Sequence, residues 1–160
     1  MAEPWQTAGN ISQKVSAAAA ALSLCVALGA IWFVWQQILN NRETTARQFF
    51  RQHLELALRN PKFSSPDYQA IEKDGSAVVA QYGFFVEHLL FTCDEILAAF
   101  PGDSDWRAAC VSRVTPHAAY LCDHVAATSL STYSRDTQSL VKSVMGGAAS
   151  AVPACAKWKT

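Results

Sequence analysis

Between Val15 and Asn41 the chain carries no ionisable side chain except Cys25, and from Ala17 to Trp35 only Ser23 and Gly29 interrupt an apolar run. Nineteen helical residues rise about 28 Å, close to the ~30 Å hydrocarbon thickness of a bilayer. A core helix in a small domain keeps a polar face, and this run has none over five turns. A cleaved signal peptide is the other candidate, with Lys14 ahead of the run and small residues around Leu28-Gly29-Ala30. Signal-peptide cores, however, extend only about 7 to 15 residues. Here apolar residues continue through Ile31-Trp32-Phe33-Val34-Trp35. The segment therefore reads as a retained transmembrane helix, with residues 1–14 as a short N-terminal segment and 15–41 as the span and its interface.

The flanks suggest an orientation. Trp32 and Trp35 suit the aromatic belt at a membrane–water boundary, and Arg42 and Arg47 follow in the headgroup region. Arg42, Arg47, Arg51, Arg59 and Lys62 outnumber Glu43 and Glu55 after the helix, while Glu3 and Lys14 lie before it. By the positive-inside rule the larger C-terminal part is expected in the cytoplasm of a cell inner (plasma) membrane. The cysteines test this: Cys93, Cys110, Cys122 and Cys155 stay reduced in a cytoplasm and can pair in a periplasm. Four cysteines allow three pairings, and spacing does not choose among them.

Inside the span, Ala17, Ala21, Cys25 and Gly29 recur every fourth residue, with Ala19, Ser23 and Ala27 beside them. Small stripes let a second helix approach closely where lipid offers no hydrophobic driving force. The four residues of the first stripe are the expected helix-packing interface. Small residues four apart also arise by chance in alanine-rich anchors.

The remainder, residues 42–145, reads as an all-α bundle of three to four helices. Arg42 to Arg59 contains neither Gly nor Pro, so one helix is expected to run on from the span, with Phe49, Phe50, His53, Leu54, Ala57 and Leu58 facing inward. Asn60-Pro61 stops it. Ser65-Pro66-Asp67 opens a second helix, with serine as its cap. Ser76 is expected to cap a central core helix over Ala77 to Phe100, rich in Val79, Tyr82, Phe85, Val86, Leu89, Leu90, Phe91, Ile96 and Leu97. Asp103 or Ser104 caps the next helix, running to about Thr128, with a kink or break at Pro116. A weak helix over Arg135 to Met145 precedes a tail, residues 146–160, expected to be flexible, whose Lys157-Trp158-Lys159 could touch a membrane surface or a protein.

Charge narrows the partners. Thirteen basic residues balance thirteen acidic ones, and Phe63 to Asp123 holds three basic against nine acidic residues. An acidic bundle is a poor ligand for phosphate backbones, so nucleic acid is not expected as a partner. No phosphate-binding loop, paired-cysteine metal motif, nucleophile elbow or zinc-protease helix occurs. Cys110, His117 and His124 are spaced by seven on one helical face. Residues seven apart lie about 10 Å apart along the axis, too far to share an ion without ligands from another helix such as His88 or Cys93. An ordinary packed core seam of His and Cys is the expected reading. Glu87-His88 adjacency places the two side chains on different sides of a helix, and Asp94-Glu95 suits a solvated patch or contacts to a neighbouring helix.

The order of features resembles a loose class of uncharacterised bacterial membrane-anchored proteins, each with one N-terminal span and a small helical domain. The matching residues are Gln36 to Arg51, Asn60-Pro61-Lys62-Phe63, Tyr82-Gly83-Phe84-Phe85-Val86-Glu87 and the Phe100 to Trp106 turn. The resemblance implies no activity. The expectation is a non-enzymatic accessory subunit, without cofactor, metal or small-molecule substrate, that packs on a larger integral membrane complex, an energy-transducing one among the options, and supports its assembly or stability. The alternative is a membrane-tethered regulator whose domain binds a soluble partner; a membrane enzyme with a metal between helices is a distant third.

Overall fold

The computed structural model describes residues 4–124 and 130–158, with side chains for 16–124 and 130–156. Helices run α1 Pro4–Arg59, α2 Pro61–Ser64, α3 Tyr68–Lys73, α4 Ser76–Ala99, α5 Ser104–Val114, α6 Ala118–His124 and α7 Arg135–Ala148. Short 3-10 turns cover Thr115–His117, Leu130–Thr132 and Pro153–Trp158, and no strand occurs among the described residues. The all-α reading holds. The chain divides into two compact units, Met1–Thr44 and Thr45–Thr160.

The first unit is the first part of α1, which begins at Pro4, where the missing amide costs nothing at a helix start. Within Ser16–Arg59 lies a window long and apolar enough to cross a membrane, and none of it is buried within the chain. The hydroxyl of Ser23, a polar group in the apolar run, donates to Ala19 O at 2.9 Å, so the helix satisfies it internally.

In the second unit α4 is the central element, packed by α3, α5 and α7. Its Tyr82, Leu89, Leu90 and Ile96 are fully buried, as are Leu140 and Met145 of α7. Local chemistry explains the boundaries. Asn60 N bonds back to Leu56 O at 3.1 Å and Pro61 opens α2, so α1 stops where proline denies it a donor. Asp103 caps α5 by accepting from the amides of Asp105 and Trp106 at 2.9 and 3.0 Å, an arrangement worth about 1 kcal/mol. Pro116 falls in the 3-10 turn that separates α5 from α6. The expected continuation of that helix over 125–128 lies outside the described residues.

Several expectations are corrected. The second helix is capped by Asp67, whose carboxylate accepts from Ala70 N, and not by Ser65. The cap of α4 is Gly75 at φ 102°, a left-handed conformation that glycine adopts without steric cost, so Ser76 is already helical. Leu58 and Phe91 were expected inside, yet they are 81% and 58% exposed. Ala46 and His53 take the inward side of α1, with Leu56 and Ala57 packed against the core, which rotates that face away from Leu58.

The flexible tail is the largest correction. α7 continues through Gly146-Gly147 to Ala148, and Pro153–Trp158 forms a further turn. Cys155 in that turn is fully buried and bonded to Cys122 of α6, so a covalent link and the core hold the segment. The side chains of Lys157, Trp158 and Lys159, and with them the surface contact expected there, lie outside the described residues.

Candidate functional site

Three sets of residues bear on function: the apolar surface of the first unit's helix, the cysteines, and the ring cluster of the bundle. On that helix Ala17, Ala21, Cys25 and Gly29 are all exposed, and a Cβ built on Gly29 meets nothing within 4 Å. Trp32 and Trp35 are 65% and 62% exposed. Arg42 and Arg47 are exposed as well. The chain itself therefore leaves this whole surface open to lipid or to another protein.

The four cysteines of the bundle form two disulfides. Cys93 of α4 joins Cys110 of α5, and Cys122 joins Cys155, with Cα separations of 5.8 and 5.0 Å, both within the usual range. Cys25 is the free thiol. The pairing is the one the bundle's topology brings together, and it departs from the reduced thiols that accompany a cytoplasmic placement. It also removes Cys110 from the candidate cluster with His117 and His124.

All four histidines of the chain lie in the ring cluster, and each has a partner from another helix. Tyr82 Oη and His117 Nδ1 are 2.7 Å apart in the buried core. Burial, reinforced by His53, lowers the His117 pKa to about 4, while burial raises Tyr82, with Tyr120 and Tyr68 adding to it. A protonated phenol and a neutral imidazole make a matched donor and acceptor. Tyr68 Oη meets His124 Nε2 at 2.9 Å, and the His124 ring stacks on Tyr120 at 4.5 Å. Sequence spacing aligned His117 with His124 but could not show that each pairs with a tyrosine, 35 and 56 residues earlier.

His53 of α1 completes the cluster. Its Nδ1 lies 3.4 Å from His88 Nδ1, and its ring packs at 5.1 Å on Phe85. Burial first, then His88 and Arg113, hold its pKa down at about 4. The cluster thus clamps the end of α1 and the 3-10 turn onto α4. Gly83 makes room for it: a Cβ there would stand 2.6 Å from Tyr120 Oη. Among the described residues no group of three or more metal-binding side chains converges.

Two of the three acidic positions on α4, Asp94 and Glu87, behave differently. Asp94 accepts from Ser134 N at 2.8 Å and fixes the start of α7, the neighbouring-helix contact expected of it. Glu87 points outward beside Phe84, which is 72% exposed. Two hollows flank that phenylalanine. One, about 360 Å³, is lined by Leu56, Asn60, Phe63, Gln81, Phe85 and His88; the other, about 310 Å³, includes Ser76, Gly83, Glu87, Tyr120 and His124.

No protein-family model, curated protein or solved structure matches this chain.

Proposed function

We propose that this chain is a single-pass, membrane-anchored accessory subunit, non-enzymatic, that packs on a larger integral membrane complex and supports its assembly or stability. The observation that carries the reading is the uncovered span: an apolar window with none of its surface buried by the chain's own residues. Lipid covers most of such a surface, and the Ala17, Ala21, Cys25 and Gly29 stripe offers a partner helix close backbone approach. The histidines support the same reading, since each is spent on holding helices together through tyrosine or histidine partners.

In this proposal the helical domain lies on the oxidising side of the inner membrane, opposite to the side the flanking arginines favour. Two considerations compete. The arginine excess after the span is a bias that orients short flanks, and long domains translocate largely regardless of charge. Disulfides closing 17 and 33 residues contribute about 3 and 4 kcal/mol, and a glutathione-buffered compartment forfeits both. The second consideration outweighs the first.

Purification in mild detergent tests the reading. The chain is expected to co-migrate in fixed stoichiometry with a larger membrane protein, and Ala21→Ile with Gly29→Ile to release it without altering the bundle. A tethered regulator keeps its partner after that change. A chain that purifies alone under all conditions ends the accessory reading.

A further inference from the structure

Only three large apolar side chains described in the Thr45–Thr160 unit are strongly exposed: Leu58, Phe84 and Phe91. Two of them share α4. Seven residues, two helical turns, separate Phe84 from Phe91, so they project from one face about 10 Å apart. Scattered surface apolar residues need no explanation, whereas aligned ones beside preformed hollows do. Phe84 stands as a ridge between the hollows of about 360 and 310 Å³. On the same face are the exposed carboxylates of Glu87 and Glu95, and among the described residues neither sits in an ion pair.

We propose that this face of α4, built on Phe84, Phe91, Glu87 and Glu95, docks a basic amphipathic helix of the partner protein. The proposal deepens the accessory-subunit reading and rests on it for the partner's presence. Charge selects the occupant: the stretch Phe63 to Asp123 carries nine acidic against three basic residues, so lysine or arginine is favoured opposite Glu87 and Glu95. Shape selects a helix, because apolar side chains at i, i+3, i+4 and i+7 straddle a ridge and fill the hollow on each side. The same carboxylates repel an anionic lipid surface. A second copy is the weaker fit. Its basic stretch, Arg42 to Lys62, already spends the inward side around His53, Leu56 and Ala57 on its own bundle.

The experiment uses the full chain in its native membrane, with the photo-cross-linker p-benzoyl-phenylalanine placed at Phe84 or Phe91 and, as a control, at the exposed Lys142 of α7. Mass spectrometry of the adducts is expected to identify one partner segment with helical apolar spacing and several lysines or arginines, from positions 84 and 91 but not 142. Glu87→Lys with Glu95→Lys is expected to lower the yield about tenfold, equivalent to ~1.4 kcal/mol. The double variant Phe84→Ser, Phe91→Ser is expected to melt as the parent does and lose the partner, which separates docking from folding. Adducts with lipid only, with a second copy, or with a segment lacking basic residues overturn the proposal. So do equal yields after charge reversal, or no adduct at either position. If a complex co-purifies while the adducts lie elsewhere, the docking face falls and the accessory reading stands. If positions 84 and 91 reach a basic helix of a soluble protein and no membrane complex co-purifies, the reverse holds.

Discussion

The two units use the same apolar residues to opposite ends. In the first, Trp32, Phe33 and Trp35 are each more than half exposed, and the helix satisfies its own polar groups, down to the hydroxyl of Ser23. In the second, Tyr82, Leu89 and Leu90 are almost wholly enclosed, and polar atoms find partners on other helices, as Tyr82 does in His117. A helix that is apolar all round is complete without neighbours only in lipid, whereas a helix apolar on one side makes its neighbours necessary. The difference lies in what surrounds the side chains, and it sets what each unit can tolerate.

The same substitution placed in each unit breaks the comparison most sharply. Leu89→Arg puts a charge at a position whose side chain is wholly buried. It is expected to cost more than about 4 kcal/mol and abolish the cooperative melt, while the chain still sediments with membranes. Leu28→Arg is expected to do the opposite. It penalises insertion by about 3 kcal/mol, so carbonate extraction releases the chain, while the disulfide-bonded bundle keeps its circular dichroism. If either variant disrupts both units, the division between them is wrong.

A somewhat smaller effect sharpens the comparison through the covalent links, which belong to the bundle alone. Cys122→Ala with Cys155→Ala removes a 33-residue closure and is expected to cost about 4 kcal/mol. It should do so without changing membrane association. In membranes isolated without reductant, alkylation is expected to modify Cys25 alone and to reach the other four cysteines only after reduction and unfolding. Four free thiols in untreated membranes would return the domain to the cytoplasm.

The most gradual expected effect is the response to acid. His53 and His117 titrate near pH 4 when folded and near 6.5 when unfolded. Above pH 6.5 both states are neutral and stability is flat. Below it the unfolded chain takes up protons first, so each histidine removes up to about 1.4 kcal/mol per pH unit until the folded form titrates near pH 4. Urea midpoints at pH 7.5, 5.5 and 4.5 should fall in that order. His117→Phe should flatten part of the slope, and an unchanged midpoint across this range would contradict the lowered pKa values of His53 and His117.

Features set by neighbouring residues were legible in the sequence. The stop at Asn60-Pro61, the cap at Asp103 and the interruption at Pro116 each depend on a few contiguous residues, and each is present. The long apolar helix was legible for the same reason, since nineteen apolar residues in a row need no tertiary contact to be read. Long-range choices were not legible. Leu58 and Phe91 satisfied helical spacing yet face outward, because the rotation of a helix is decided by the helix it meets. The tail read as flexible because Gly146-Gly147 and the small residues after it carry no strong local signal. What holds it is Cys122, 33 residues earlier. The pairing of each histidine with a ring on a distant helix likewise depends on packing that no spacing rule reports.

With Cys93, Cys110, Cys122 and Cys155 locked in pairs, Cys25 is left as the chain's single free thiol, exposed part-way along the apolar helix. The wild-type chain thus arrives with its own attachment point for a spin label or fluorophore. The depth of that probe, and its distance to the same probe on any neighbouring molecule, can be read without altering one residue.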